Sequence, residues 1–226
     1  MFGRVGMITI GQSPREDIMK DLLQILPRNI EILQVGALDD FKTKDEIMRS
    51  LKPESGDVVY VSRLRDGEEV KISKNKLIPL MSSKIKYLDS QKVDLLIILC
   101  SGEFPKFEVS TPIVYPEKIL KGIASSISYS GRVAITIPSS EQIEYAYNKW
   151  SEYFSKLEVI PISPYSSNVE DYKIVGEKIK EKDIKLVIMD CMGYSFEHKN
   201  AIRVSAPFAK IITTRGVTVR SILEMF

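Results

Sequence analysis

The chain has 226 residues, of which 44% are hydrophobic and 27% charged, a balance typical of a globular protein with a sizeable core. Lys and Arg total 32 and Asp and Glu total 30, and this near-neutral sum argues against nucleic acid or an anionic membrane surface as a partner. The apolar stretches are far shorter than the ~20 residues of a membrane span. The N-terminal residues lack the layout of a signal peptide, so we expect a cytoplasmic protein without membrane contact.

The first half of the sequence alternates strand-like and helix-like segments. Thr43 and Glu46 form a capping box at one helix start, and the helix after Ser73 must start late or kink because of Pro79. An Asp-Gly turn between two alternating runs predicts a β-hairpin over residues 57–73. In chain order we predict strand 3–10, helix 14–26, strand 31–35, the helix from 43, the hairpin, the helix after 73 and strand 95–99.

The second half repeats this alternation of strands and helices. One helix is marked by apolar residues that recur every three or four positions and predict a single buried face: Ile143, Tyr147, Trp150 and Phe154. In chain order we predict strand 112–115, a helix from Pro116, strand 132–137, the marked helix to about 154, strand 157–162, helix 169–182, strand 186–190, a short helix near 198, strand 210–212 and a helix capped by Thr213 or Thr214.

The two halves also resemble each other at their starts. Residues 3–10 and 131–137 share a Gly-Arg-Val opening and an apolar run, and each is followed by serines that can cap a helix. The repeated alternation predicts an α/β fold of two pseudo-symmetric lobes, each a mostly parallel sheet flanked by helices, with a cleft between them. We assign residues 1–105 plus 208–226 to the first lobe, with the hairpin as an insertion, and residues 106–207 to the second lobe.

The only two cysteines of the chain occupy matching positions in the two halves. Each follows an apolar strand and precedes, after one residue, a glycine: Cys100-Ser101-Gly102 and Cys191-Met192-Gly193. Ligands of open α/β sheets bind beyond the carboxyl ends of the strands. We therefore expect the two thiols on opposite walls of the cleft, each stabilised as a thiolate by a helix N-terminus. The alternative is that both cysteines fill space in the core.

Two motifs identify the chain as a member of the AroM family. They are residues 9–17, Thr-Ile-Gly-Gln-Ser-Pro-Arg-Glu-Asp, and residues 189–194, Met-Asp-Cys-Met-Gly-Tyr, followed by His198. That family resembles the aspartate/glutamate racemase superfamily, which includes hydantoin racemases, maleate isomerases and arylmalonate decarboxylases. The resemblance implies two pseudo-symmetric lobes and one or two cysteines acting at the α-carbon of a substrate without a cofactor.

The residues beside the cysteines depart from the pattern of the amino-acid racemases. Asn-Thr follows the first cysteine in those enzymes, whereas Ser101-Gly102-Glu103 follows Cys100 here. The second cysteine there lies in Gly-Cys-Thr, whereas Asp190 and Met192 flank Cys191. Ser101 could still bind a carboxylate, but Glu103 would repel one. A glutamate or aspartate substrate is therefore not expected.

Seven further residues are candidates for substrate binding. Arg15 follows Ser13 and Pro14 at a predicted helix start, where free N–H groups and a guanidinium suit an anion. His198, the single histidine, could relay protons to Cys191 or lie on the surface. The remaining candidates lie at strand ends or helix starts, where capping is the alternative role. The set is Ser13, Arg15, Ser101, Ser139, Ser140, Thr214 and His198.

The sequence therefore supports two functional hypotheses. The first is a cofactor-independent, cysteine-dependent racemase or isomerase, or a related decarboxylase, acting on a small carboxylate-bearing molecule through Cys100 and Cys191. The second is a non-catalytic protein that binds a small carboxylate or phosphate in the same cleft. The spacing of Cys, His and acidic residues predicts no metal site, and a homo-oligomer is possible with either hypothesis.

Overall fold

The computed structural model describes residues 3–226, so Met1 and Phe2, which the predicted first lobe includes, lie outside the described residues. Strand bounds are β1 (Arg4–Thr9), β2 (Glu31–Gly36), β3 (Val59–Arg63), β4 (Glu69–Ser73), β5 (Leu95–Ile98), β6 (Ile113–Val114), β7 (Val133–Ile137), β8 (Leu157–Pro161), β9 (Leu186–Met189) and β10 (Lys210–Thr213). Helix bounds are α1 (Glu16–Leu22), α2 (Lys44–Leu51), α3 (Lys74–Ser90), α4 (Pro116–Ser125), α5 (Ile143–Trp150), α6 (Val169–Glu181), α7 (Phe196–Ser205) and α8 (Thr214–Leu223).

Two parallel four-stranded sheets form the centres of two lobes. The first sheet has the order β2-β1-β5-β6 and the second has the order β10-β9-β7-β8, with every pairing parallel. Matching β1 with β7, β2 with β8, β5 with β9 and β6 with β10 makes the two orders identical. The predicted α/β fold of two similar lobes with helix-flanked parallel sheets is therefore confirmed, and β5 and β9, which lead to the cysteines, occupy equivalent places.

Strand membership differs from the predicted lobe boundaries at the end of each half. β6, predicted in the second lobe (106–207), pairs with β5 of the first sheet. β10, predicted in the first lobe (208–226), pairs with β9 of the second sheet. The helices that follow these strands cross over: Leu120 of α4 lies in the core beneath the second sheet, and Val219 and Ile222 of α8 lie in the core beneath the first. Each sequence half thus contributes its final helix to the other lobe.

The predicted hairpin is a separate two-stranded antiparallel sheet of β3 and β4. Its turn uses Gly67 at a φ of +95°, a conformation that favours glycine. The hairpin extends from the first lobe and makes polar contacts with the second. Gln142 Nε2 donates to the carbonyl of Val59 at 2.8 Å, Lys71 pairs with Glu141 at 2.9 Å, and Glu69 accepts from the hydroxyl of Ser163.

Two helix predictions differ from the structure. The helix after Ser73 begins immediately, at Lys74, and accommodates Pro79 in its second turn. The predicted apolar face of α5 is only half buried: Trp150 and Phe154 are enclosed, whereas Ile143 and Tyr147 are 42% and 50% exposed. The face of α5 that turns inward carries Ala146, Lys149 and Trp150. A lysine is therefore buried on this helix at a position outside the predicted apolar face.

Candidate functional site

Cys100 and Cys191 line the same cavity between the two lobes. We refer to it as the thiol cavity. Its walls are largely apolar, with Ile10 from the first lobe, Ile137 from the second and Tyr60 from the hairpin. The cavity volume is about 40 Å³, which is enough for a few water molecules but far below the size of a ligand pocket. The two lobes and the hairpin are therefore closed over the thiols.

The two thiols are held by equivalent turns. The N–H of Gly102 donates to Cys100 Sγ at 3.3 Å, and the N–H of Gly193 donates to Cys191 Sγ at 3.3 Å. A Cβ atom on Gly102 would lie 2.4 Å from Tyr60 Cζ, and one on Gly193 would lie 2.7 Å from Pro164 Cγ. Both glycines are therefore required by close packing, and the repeated Cys-x-Gly motif encodes two copies of one thiol-binding turn.

Both thiols are protonated at neutral pH in this closed state. Burial raises the pKa of Cys100 to about 12. The Gly102 N–H and the charge of Lys149 act to lower this pKa, whereas Cys191 and Asp190 act to raise it. Burial likewise raises the pKa of Cys191 to about 11, opposed by the Gly193 N–H and by Arg15 and Arg215. The expected stabilisation by helix N-termini is wrong, because residues 101–112 are irregular and α7 begins only at Phe196. Glycine N–H groups occupy that role instead.

A buried ion pair adjoins both thiols. Lys149 Nζ lies 3.0 and 2.8 Å from the two carboxylate oxygens of Asp190 and donates to the carbonyl of Ser101 at 2.9 Å. Trp150 Nε1 donates to the same carboxylate at 2.8 Å. Lys149 and Asp190 both line the thiol cavity. The sequence analysis noted Asp190 but missed Lys149. The available signal was that Lys149 lies on the same side of α5 as Ala146 and Trp150, which both face inward.

Ser101 is the one predicted substrate-binding residue that lines the thiol cavity. It is buried, and its carbonyl is held by Lys149. Glu103, expected to repel a carboxylate, forms an ion pair with Lys121 at 2.6 Å. Part of its charge is therefore balanced by Lys121, and whether it disfavours a carboxylate stays a prediction.

Ser13 and Arg15 lie at the lobe interface but are engaged with protein groups. The hydroxyl of Ser13 donates to Asp39 at 2.7 Å, so Ser13 does not cap α1 as the sequence suggested. Arg15 makes a two-pronged bond to Asp17, at 2.8 and 2.7 Å, and donates to Tyr165 of the second lobe at 3.2 Å. Arg15 is 3% exposed. Its guanidinium therefore acts on Cys191 through its charge and joins the lobes.

The three other candidates, Ser139, Ser140 and Thr214, are not among the residues that line the thiol cavity. Ser139 accepts from the N–H of Glu141 at the short 3-10 turn before α5, while Ser140 is exposed. The hydroxyl of Thr214 donates to the carbonyl of Met189 at 3.0 Å, and Thr213 caps α8. These contacts anchor helices at the strand ends and leave the thiol cavity to other residues.

His198 lies in a separate surface groove with Lys20 and Arg63. Its Nδ1 accepts from the N–H of Ser195, whose hydroxyl in turn accepts from the N–H of His198, completing a capping box on α7. The ring stacks on Tyr172 with centroids 4.2 Å apart. Burial, followed by the charge of Arg215, lowers the pKa of His198 to about 4. This neutral, stacked histidine stabilises α7 and is placed away from the thiols.

Arg215 is a second buried cation that sequence reasoning missed. It is fully buried and donates to the carboxylate of Asp21 at 2.6 Å. It also donates to the carbonyls of Met192, at 3.0 and 2.8 Å, and of Gly193 at 3.0 Å. Arg215 therefore fixes the backbone of the turn that carries Cys191. In the sequence, this arginine follows the capping threonines of α8 without any motif.

The family model described as AroM protein matches residues 5–226. The chain belongs to the AroM family. No curated protein matches this AroM sequence. Within residues 3–226, no helix is long and apolar enough to cross a membrane, and no cluster of three His, Cys, Asp or Glu side chains could hold a metal ion.

Solved structures similar to this AroM protein include racemases and a decarboxylase. Allantoin racemase from Klebsiella pneumoniae matches with a TM-score of 0.62 at 13% identity, over 99% of this chain and 87% of that one. Glutamate racemase from Thermus thermophilus matches with a TM-score of 0.62 at 16% identity, over 99% and 80%. A liganded mutant of arylmalonate decarboxylase matches with a TM-score of 0.63 at 10% identity, over 99% and 92%. These similarities establish a common fold.

Proposed function

We propose that this AroM protein is a cofactor-independent enzyme that moves a proton at the α-carbon of a small carboxylate-bearing molecule, with Cys100 and Cys191 as the proton-transferring groups. The observation that carries the proposal is that both thiols line one cavity and that each is held by the same Cys-x-Gly turn. Two such groups from opposite lobes can approach opposite faces of a single carbon atom.

In racemisation or isomerisation, one cysteine starts as a thiolate. It takes the α-proton as the C–H bond breaks, and the electron pair of that bond passes into the carboxylate to give an enediolate. The other thiol gives its proton to the opposite face, and its S–H electron pair remains on sulfur. The first cysteine ends as a thiol and the second as a thiolate, so one proton has entered and one has left the carbon.

Decarboxylation is the closely related alternative reaction. The electron pair of the breaking C–C bond passes into the remaining carboxylate as carbon dioxide leaves, and a thiol then protonates the enediolate. This route starts from a protonated cysteine, which is the form that burial favours at neutral pH. The two routes therefore differ in pH dependence: proton exchange rises as a thiol ionises toward pH 11, whereas decarboxylation declines over the same range.

The walls of the cavity favour a substrate with one carboxylate and an apolar substituent. Ile10, Val61 and Ile137 offer an apolar surface, and Lys149 is the cationic residue among those that line the cavity. The charge of Lys149 is largely balanced by Asp190, which leaves little to hold a second carboxylate. Since the closed cavity, at about 40 Å³, has no room for a ligand, the hairpin and lobes must separate for the substrate to enter.

Proton exchange in deuterated water tests the proposal. We would incubate the protein in deuterated water with a panel of 2-aryl and 2-alkyl carboxylic acids and the matching 2-substituted malonic acids. Loss of the α-proton signal and loss of a carboxyl group would be followed by NMR, with Cys100→Ser, Cys191→Ser and the double serine variant for comparison. Exchange of at least one acid that disappears in the double variant Cys100→Ser/Cys191→Ser is expected, with interconversion of its enantiomers lost in either single variant. Exchange that survives the double variant would exclude thiol chemistry. Saturable binding by calorimetry without any exchange or decarboxylation would instead establish the non-catalytic binding protein.

A further inference from the structure

One side chain connects the two turns that carry the cysteines. Lys149 Nζ donates to the carbonyl of Ser101, the residue after Cys100, and also binds the carboxylate of Asp190, the residue before Cys191. These bonds measure 2.8 to 3.0 Å. The ammonium thus bonds to a chain neighbour of each thiol.

From this geometry we infer that Lys149, held by Asp190, is a positioning residue that fixes the two thiols relative to each other and places its charge on the Cys100 side of the cavity. This inference rests on the proposed function for its catalytic meaning. The geometry itself is independent of any substrate. Lys149 touches the groups that carry the thiols, so it acts through Cys100 and Cys191.

The burial of the pair indicates a role beyond stability. The Lys149 and Asp190 side chains are 2% and 6% exposed, and removing two charges from water costs more than their attraction returns in many proteins. Well-packed apolar residues would stabilise α5 against the second sheet equally well. The carboxylate is also fixed by Trp150 Nε1 at 2.8 Å, so its orientation toward Lys149 is determined by two donors.

The charges around the two thiols differ. Lys149 lowers the pKa of Cys100 against the larger effect of burial, and Asp190 raises it. Cys191 faces Asp190 as well, but the cations that lower its pKa against burial include Arg15 and Arg215. Lys149 is therefore the cation assigned to Cys100. Its removal is expected to act on Cys100, whereas removal of the Asp190 charge is expected to act on both thiols in the opposite direction.

The test is the pH dependence of iodoacetamide alkylation at each cysteine of the full-length protein, followed by mass spectrometry of the two cysteine peptides. Lys149→Met is expected to raise the apparent pKa of Cys100 by about one unit and to slow its alkylation relative to Cys191 about tenfold at a fixed pH. Asp190→Asn is expected to lower the apparent pKa of both thiols. Using the ratio of the two peptides removes any general effect of lobe opening, which exposes both thiols together.

Lys71→Met is the matched control, because Lys71 also forms an ion pair to the second lobe, at 2.9 Å, but on the surface. Its Cys100 to Cys191 ratio should equal that of the wild type. If Lys149→Met does not fold, as judged by circular dichroism, the neutral double variant Lys149→Met/Asp190→Asn replaces it. In the double variant, the pKa of Cys191 should fall because the negative charge of Asp190 is gone. The pKa of Cys100 should stay within half a unit of the wild type, because this thiol loses one neighbouring charge of each sign.

The inference would be overturned if the alkylation pKa values of both thiols were unchanged in Asp190→Asn and in the folded Lys149 variant. It would also be overturned if Lys149→Met and Asp190→Asn shifted the pKa of Cys100 in the same direction. Because alkylation needs no substrate, this result is independent of the exchange experiment. A protein that shows the opposed pKa shifts without α-proton exchange would retain the positioning role and refute the proposed function. α-Proton exchange without the pKa shifts would support the proposed function and refute the positioning role.

Discussion

Arg15 of the first lobe donates to the hydroxyl of Tyr165 in the second lobe across 3.2 Å. The same guanidinium binds both carboxylate oxygens of Asp17. Burial alone would raise the pKa of Asp17, but the hydrogen bonds and charge of Arg15 outweigh it, so this pKa lies below its usual value. Arg15 is thus one of the buried cations that join the lobes at the Cys191 side of the cleft, while Lys149 joins them at the Cys100 side. The closed state depends on both contacts.

Replacing Arg15 with methionine should lower stability and make Cys191 less acidic. Asp17 and Tyr165 lose their buried donor, which we expect to reduce the free energy of unfolding by about 1–3 kcal/mol. Loss of the positive charge should also raise the alkylation pKa of Cys191. Urea denaturation and peptide mass spectrometry measure the two effects. Lys44→Met, which breaks the exposed pair with Glu68, is the control and should cost less than about 1 kcal/mol.

Arg215→Met should be more damaging. The substitution leaves the buried carboxylate of Asp21 and the carbonyls of Met192 and Gly193 without their donor. Breaking a buried pair in this way typically costs about 3–5 kcal/mol, measured here by urea denaturation. Arg220→Met removes an exposed arginine from the same helix, bonded only to the carbonyl of Gly216, and should change stability by less than about 1 kcal/mol. Equal losses in the two variants would contradict this prediction.

His198 should make stability depend on pH. Its pKa of about 4 in the folded protein lies below that of an unfolded histidine at about 6.5. The unfolded chain therefore binds the extra proton first, and the contribution of the neutral ring, present above pH 6.5, is lost as the pH falls toward 4. Allowing for partial solvent exposure, we expect a loss of about 1–2 kcal/mol over this range.

His198→Gln isolates this effect, because glutamine can still complete the capping box with Ser195. The difference in unfolding free energy between wild type and His198→Gln should shift in favour of the variant as the pH is lowered from 7 to 4. Ser195→Ala removes the cap at a cost of about 1 kcal/mol, and that cost should show little pH dependence. A constant wild-type-to-glutamine difference would show that the histidine titrates normally.

The contacts of the hairpin should control access to the thiols. Lys71→Glu replaces the attraction to Glu141 by repulsion, and we expect both cysteines to be alkylated about fivefold faster, which corresponds to ~1 kcal/mol of lost contact. Lys173→Glu makes the same charge change beside Glu170 on α6, away from the cleft, and should leave both rates unchanged. Identical behaviour of the two variants would place the opening motion elsewhere.

The order of elements and the thiol-bearing turns could be predicted from the sequence because they depend on local patterns. Apolar runs ending in Cys-x-Gly mark β5 and β9, and the structure places Cys100 and Cys191 on one cavity. The exchange of the last helices could not be predicted, since amphipathic patterns show which face of α4 or α8 is buried but not which sheet covers it.

Lys149 and Arg215 escaped prediction for another physical reason. A charged residue in a helix is ordinarily solvated, and burial is favourable only when a partner from a distant part of the chain supplies compensating charge. Asp190 is that partner for Lys149, and Asp21 for Arg215. The two partners of each pair lie so far apart in the sequence that no local motif indicates their contact. In the same way, the capping serine predicted at Ser13 instead bonds to Asp39, 26 residues away.

The crossing of α4 and α8 constrains how this molecule can move. These helices pack on each other, and each completes the interior of the lobe to which the other is tethered by its preceding strand. Moving the lobes straight apart would expose apolar residues of both cores at once. We therefore expect the lobes to open by a hinge rotation about an axis that runs along α4 and α8. Neither half of the gene, expressed alone, would encode a lobe with its own complete covering.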